Sequence, residues 1–319
     1  MALDNALAVR EADENQLRLM LALCHPSTGS DTHVALILKY LCGFSAQELA
    51  AAFLTSTETV NKRLARGKAQ LRREGSLIPS EELAVSPDQL ASMLQALYLL
   101  FNEGYHGNNP ETPVRATLCE EAMRLVTLLL RASKLPLPAA DALAALFCFH
   151  YSRIKGRMDA DGALITLADQ DRSLWDRDLI AAGLRHLAQS AVGPGASPYH
   201  LEAGIALQHC IAPSLDETDW PTILNLYETL LTLSPSPLLR LNIALAKAMS
   251  GGIAPALADL NELACEPTLQ HGPFWHAARG RILGRAGQSA ASADSFRKAA
   301  AQARNPAEAD AFNRQAANA

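Results

Sequence analysis

Between residues 44 and 73 two helix-start signals lie close together, and that spacing most constrains what this chain can fold into. Ser45, followed three positions later by Glu48, is a capping box, in which hydroxyl and carboxylate each take a backbone N–H of the first turn. Leu49, Ala50 and Phe53 follow as an inward stripe, so the helix is short. Leu54-Thr55-Ser56 then makes a tight turn and Ser56 caps again. The spacing of Val60, Leu64 and Leu71 predicts a further helix from about Thr57 to Arg73. Upstream, Asp31 is placed to cap a helix carrying Val34, Leu36, Ile37, Leu38, Tyr40 and Leu41, and Gly43 supplies its stop.

Charge gives these helices a direction. The 319-residue chain has a formal net charge of −5, so it is not built to coat nucleic acid indiscriminately. Yet Lys62, Arg63, Arg66, Lys68, Arg72 and Arg73 crowd into the 57–73 helix, where Glu58 is the only acid. Two helices joined by a tight turn, the second basic on its outer face, form a helix-turn-helix that inserts one helix into a major groove of DNA. Ser56, Thr57, Thr59 and Asn61 are short hydrogen-bonding side chains at the leading end, suited to base edges. Lys62, Arg63, Arg66 and Lys68 lie further along and are suited to phosphates, adding affinity and salt dependence more than discrimination. A helical hairpin with a merely solvated basic face is the plainer alternative, against which capping, turn length and charge placement all count.

Ala and Leu dominate and aromatic residues make up 5 %, so the expected fold class is all-α: an N-terminal helix-turn-helix domain and a helical C-terminal domain. No apolar run approaches the roughly 18 residues of a membrane span, and Met1-Ala2-Leu3-Asp4 does not open a secretory signal. A cytoplasmic protein with no membrane partner is the expectation. Cys24, Cys42, Cys119, Cys148, Cys210 and Cys265 are scattered without metal-ligand pairing and read as buried, reduced thiols. No nucleophile, phosphate-loop or paired-carboxylate motif is present, so neither catalysis nor a cofactor is expected.

Beyond Gly75, the segment 76–87 with Pro79 and Pro87 breaks periodicity and reads as a linker between a domain at 1–75 and a helical extension at 88–197. Leu90, Met93, Leu94, Leu97, Tyr98 and Phe101 open that extension. Further helices are expected at about 114–132, 139–154 and 174–190. In 198–319 the pattern repeats: Gly251 and Gly287 stand at one offset, at which Leu260 matches Phe296 and Ala264 matches Ala300. Small residues at helix crossings beside large ones resemble tetratricopeptide (TPR) units, whose stacked arrays bind a peptide, a partner domain or a neighbour. The segment from Leu224 to Leu233 fits the second helix of a preceding unit.

Asp159, Asp161, Asp169, Asp171, Asp176 and Asp178 invite a metal reading, but the loop starting at Asp159 has Gly162 fourth and Gln170 twelfth, unlike a calcium loop. A structural knot of Asp171, Arg172, Trp175, Asp176 and Arg177, with Asp171 or Ser173 capping the next helix and fixing a 158–167 hairpin, fits better. The histidines, among them His106, His150, His186, His200 and His209, are given no role.

The run FSAQELAAAFLTSTETVNKRLARGKAQLRR resembles region four, the promoter-reading domain, of extracytoplasmic-function (ECF) sigma factors. LYLLFNEGYHG (97–107), LCEEAMRL (118–125) and DADGALITLADQDRSLWDRDLI (159–180) resemble the subgroup with a TPR-like C-terminal extension. The resemblance implies promoter double-stranded DNA at the minus-35 element as a partner, core RNA polymerase as another, and a protein or peptide partner for the extension. It also implies a region-two domain, for which the residues before the helix-turn-helix leave no room. A chain truncated at its start and a partial homologue that does not itself initiate transcription are both compatible with that. A contrasting function is a protein-interaction scaffold with a vestigial helix-turn-helix.

Overall fold

A computed structural model describes residues 2–53, 55–74, 85–106, 114–159, 163–193, 195–270 and 272–319; of the positions discussed above, Met1, Leu54, Gly75, residues 76–84 of the expected linker, Gly107, Ala160, Asp161 and Gly162 lie outside these. Among the described residues the chain is all-α, with sixteen α-helices, three short 3-10 turns and no strand. Among the described residues no helix is long and apolar enough to cross a membrane. The described residues fall into two compact units, 2–106 with 114–144, and 145–319.

The first unit comprises α1 (Ala2–Leu23), α2 (Ser30–Tyr40), α3 (Ala46–Ala52), α4 (Thr57–Glu74), α5 (Pro87–Tyr105), α6 (Ala116–Ala132) and the start of α7 (Pro138–Tyr151). Its core is built from helical stripes: Leu17, Met20 and Leu21 of α1, Val34 to Leu38 of α2, Met93, Leu97 and Phe101 of α5, and Leu125 and Leu129 of α6. Ser86, Pro87 and Gln89 start α5 with a second capping box. The α2 helix packs along α5, where buried His33 links Ser92 Oγ (3.1 Å) to the His25 carbonyl (2.9 Å) and so leaves no polar atom of its ring stranded. Arg124 of α6 reaches Asp13 of α1 at 2.6 Å, and hydrogen bonds from Arg124 hold Glu121 below the usual carboxylate range. The α5 and α6 helices cross closely at Gly104, where a Cβ would meet the Arg115 carbonyl and Cys119 Sγ at 2.8 Å.

The second unit contains the end of α7, then α8 (Arg177–Gln189), α9 (Pro198–Ile211), α10 (Trp220–Leu233), α11 (Pro237–Met249), α12 (Ile253–Glu262), α13 (Pro267–Gln270), α14 (Phe274–Arg285), α15 (Ser289–Ala301) and α16 (Pro306–Ala317). Two pairs, α11 with α12 and α14 with α15, turn on Gly251 (φ 94°) and Gly287 (φ 71°), a left-handed conformation that favours glycine. Leu260 and Phe296 are buried at matching places. Ala264 is not at a crossing as expected: it lies exposed in the 3-10 turn Leu263–Cys265, and the close contacts instead fall at Gly280, where a Cβ would meet the Phe296 ring at 3.0 Å, and at Gly204 against Leu226.

The acidic stretch is structural, with its caps displaced from expectation. Asp176, rather than Asp171 or Ser173, caps α8 by accepting the N–H groups of Asp178 and Leu179 at 3.0 Å. Asp171 caps the 3-10 turn Arg172–Leu174. The Arg172 guanidinium lies 4.5 Å from the Trp175 ring and donates to the His209 and Ala212 carbonyls, placing a cation at the C-terminal end of α9, where the helix dipole favours it. Of the expected hairpin, the described residues show an antiparallel bridge between Met158 and Leu164, flanked by hydrogen bonds from the Asp159 N–H to the Ala163 carbonyl (3.0 Å) and from the Ile165 N–H to the Arg157 carbonyl (2.8 Å). Of the cysteines, Cys265 is exposed, because its 3-10 turn sits on the surface, and Cys42 is only partly buried. Burial pushes the Cys24 and Cys42 thiols up to about 12.

One titration follows from this packing. Burial, then Arg153 and Arg172, push His209 down to about 3 from an ordinary 6.5. The folded state therefore holds a neutral imidazole that the unfolded chain protonates. Its contribution to stability is complete above about 6.5 and declines as pH falls toward 3. Urea unfolding at pH 7.5 and pH 5.5 should show a loss for the parent that His209→Gln reduces; equal losses in both would refute this assignment.

Candidate nucleic-acid interface

Gly43, at φ 74°, ends α2, and the Phe44 N–H returns to the Leu38 carbonyl at 3.0 Å, so the chain reverses directly into α3. Gly29, rather than Asp31, occupies the N-cap of α2. Asp31 lies in the first turn, its carboxylate drawn 3.0 Å from Arg63 of α4. The capping box forms as the sequence predicts: the Ser45 N–H donates to Glu48 at 2.7 Å and the Glu48 N–H to Ser45 Oγ at 3.1 Å.

After the turn, Ser56 Oγ accepts the Thr59 N–H at 3.2 Å and α4 begins at Thr57. Val60, Leu64 and Gly67 are buried along one side of α4. At Gly67 a Cβ would lie 2.5 Å from Thr32 Cγ2, so the helix pair α2 and α4 crosses at a distance only glycine permits. Gly67→Ala, which in an exposed helix interior gains about 1 kcal/mol, should here destabilise by about 1 kcal/mol or more. Thr32→Ala should restore part of the loss in the double variant. A stabilised Gly67→Ala protein would show the crossing to be looser.

The opposite side of α4 faces solvent. Ser56, Thr57, Thr59, Asn61, Lys62, Arg66 and Lys68 are all exposed, as are Arg72 and Arg73. Lys62 pairs with Glu58 at 2.6 Å, both largely exposed, and an i,i+4 surface pair of this kind is weak and readily exchanged. The Lys68 ammonium stands 6.0 Å from the Tyr40 ring. Arg63 is the exception among the eight expected contact residues. Its side chain is 20 % exposed, paired with Asp31 and 5.0 Å over the Phe53 ring, so it ties α2, α3 and α4 together.

A contact invisible to sequence reading fixes α3. Arg115, at the N-cap of α6, donates to Glu48 at 3.0 Å and to buried Glu103 of α5 at 2.6 Å. Burial opposes ionisation of Glu48, but hydrogen bonds from the Ser45 backbone and side chain and from Arg115 outweigh it and hold the carboxyl below its ordinary range. One carboxylate thus caps α3 and anchors it to α5 and α6.

Residues 30–71, spanning α2 to α4, match the family described as sigma-70, region 4. Residues 89–191 match a family of unknown function (DUF6596). An uncharacterized protein of Rhizobium meliloti (strain 1021) is 35 % identical over 293 residues, covering 92 % of this chain and 69 % of that protein. No solved structure matches. Fold and site together define a protein that is all-helical among the described residues and carries a sigma-region-4-like helix-turn-helix, which supports a DNA-binding role. The chain belongs to one family with the Rhizobium meliloti protein, and within it residues 30–71 are similar to sigma-70 region 4.

Proposed function

We propose that this protein is a transcription regulator of the ECF sigma type that lays the outer face of α4 in the major groove at the minus-35 element of a promoter. The observation that carries the reading is the division of α4 into a buried stripe, Val60, Leu64 and Gly67, and an outward face of short polar and basic side chains. Ser56, Thr57, Thr59 and Asn61 meet base edges, while Lys62, Arg66 and Lys68 neutralise phosphates. Arg63 acts differently from its neighbours, as the residue that positions α4 on α2 and α3. The paired helices of the second unit, turning on Gly251 and Gly287, form TPR-like repeats that receive a protein or peptide partner in the cytoplasm.

Selection of duplexes by the full chain from a randomised pool tests this reading. A recurring motif should emerge, bound with an affinity that falls steeply and log-linearly with salt. Recovery of no motif, with only weak salt-sensitive binding, would favour a scaffold whose helix-turn-helix no longer reads DNA.

A further inference from the structure

The second unit contains a half-open cavity of about 320 Å³ lined by α9, α10, α11, α14, α15 and α16, at the small end of the 300–1,000 Å³ typical of small-molecule sites. Its walls are mostly hydrocarbon, from Trp220, Leu241, Leu245, Phe296 and Phe312. Into this apolar space α14 brings Arg281, half-buried and permanently charged. Among the described residues Arg281 makes neither a hydrogen bond nor an ion pair. Arg172, Arg279 and Arg304 of the same unit each have at least one acceptor, the His209 and Ala212 carbonyls, Ser295 at 2.7 Å and Glu308 at 2.7 Å respectively. The carboxylate that Arg281 senses, Asp169, accepts from Thr166 at 2.6 Å and Gln315 at 2.9 Å, both on Oδ2, and is not within ion-pair distance of Arg281. Asn242 of α11 brings a second polar group to the cavity.

A guanidinium half-withdrawn from water without an acceptor is costly, and a carboxylate is the acceptor its planar fork fits best. We propose that this cavity is a binding site for a small amphipathic carboxylic acid, aliphatic or aromatic, whose apolar body fills the walls and whose carboxylate pairs with Arg281, with Asn242 as the second polar contact. Asp169 nearby favours a single negative charge over a phosphate dianion. The volume favours a small acid over a peptide. This site is independent of the DNA-binding reading.

Titration calorimetry and thermal unfolding of the full chain test it, with octanoate, decanoate and 3-phenylpropionate against their primary amides. At least one acid should bind saturably and raise Tm, with its amide weaker by about tenfold or more. Arg281→Met should lower acid affinity to that of the amide, and Asn242→Asp, which adds a negative charge, should also weaken the acid. The comparison of acid with amide on the parent chain stands even where a variant fails to fold. Equal binding of acid and amide, undiminished acid binding by a folded Arg281→Met variant, or no binding by any of the acids would each overturn the proposal. Saturation of the cavity by a peptide alone would overturn it in favour of a protein occupant.

Discussion

Replacing Lys62 and Arg66 together by alanine should lower the affinity of the full chain for its DNA by about 50-fold near 0.1 M salt, and should flatten the plot of log K against log salt by about two. Each cation that neutralises a phosphate releases condensed counterions, which contributes about 0.9 to that slope. Both side chains are exposed and neither packs against α2 or α3, so the unfolding free energy should change by no more than about 0.5 kcal/mol. Thr59→Ala and Asn61→Ala should alter which duplex is preferred while leaving the slope in place, because a base contact displaces no counterion. Arg63→Ala should behave unlike either group, lowering stability along with binding, since its guanidinium joins Asp31 and Phe53. Measurement is by fluorescence anisotropy across a salt series, with urea unfolding of the same samples. An unchanged slope in the Lys62/Arg66 double variant would remove these residues from the phosphate contacts.

Arg115→Met should destabilise the first unit by about 3 kcal/mol, the low end for breaking a shielded ion pair. The side chain is 23 % exposed and stands between Glu48 and Glu103, itself 8 % exposed, so methionine fills the space and leaves two carboxylates facing one another without the cation. Glu48 provides a readout that general loosening would not reproduce. Its carboxyl is held below the ordinary range by the Ser45 and Arg115 hydrogen bonds against burial, so in the folded variant its titration, followed by NMR, should move upward. Stability that rests on a depressed carboxyl is present above the unfolded pKa and is lost as pH falls through the folded one. The difference between parent and variant should therefore shrink below about pH 4.5. A variant as stable as the parent at pH 7 would show that α3 is held by its apolar contacts alone.

Local signals in the sequence carried the helix-turn-helix a long way. Ser45 with Glu48, and Ser56 with Thr59, are capping pairs whose partners lie within one turn, so their geometry follows from spacing. Gly251 and Gly287 were legible as a repeat offset, and the structure adds the reason for glycine, a left-handed turn at each. What sequence did not show depends on pairs distant along the chain. Arg63 looks like its basic neighbours and is set apart only because Asp31 and Phe53 come to it from other helices. Arg115 carries no motif, and its role appears when α5 and α6 bring Glu103 beside Glu48. Asp176 and Asp171 are equally good caps by type, and residue type alone does not tell which of them starts α8 and which the 3-10 turn before it. The cavity around Arg281 belongs to the same class, since six helices contribute to it and none announces it.

The central claim is that the outward side of α4 lies against the bases of double-stranded DNA. Photo-cross-linking tests it most directly: benzophenone side chains are introduced singly at Asn61, Ala65 and Ala69 of the full chain, bound to its selected duplex and irradiated. Cross-links to that duplex from Asn61 and Ala65, lost on competition with the unlabelled selected duplex, are the predicted result. A duplex bound with the same affinity and cross-linked from none of these positions would contradict the account.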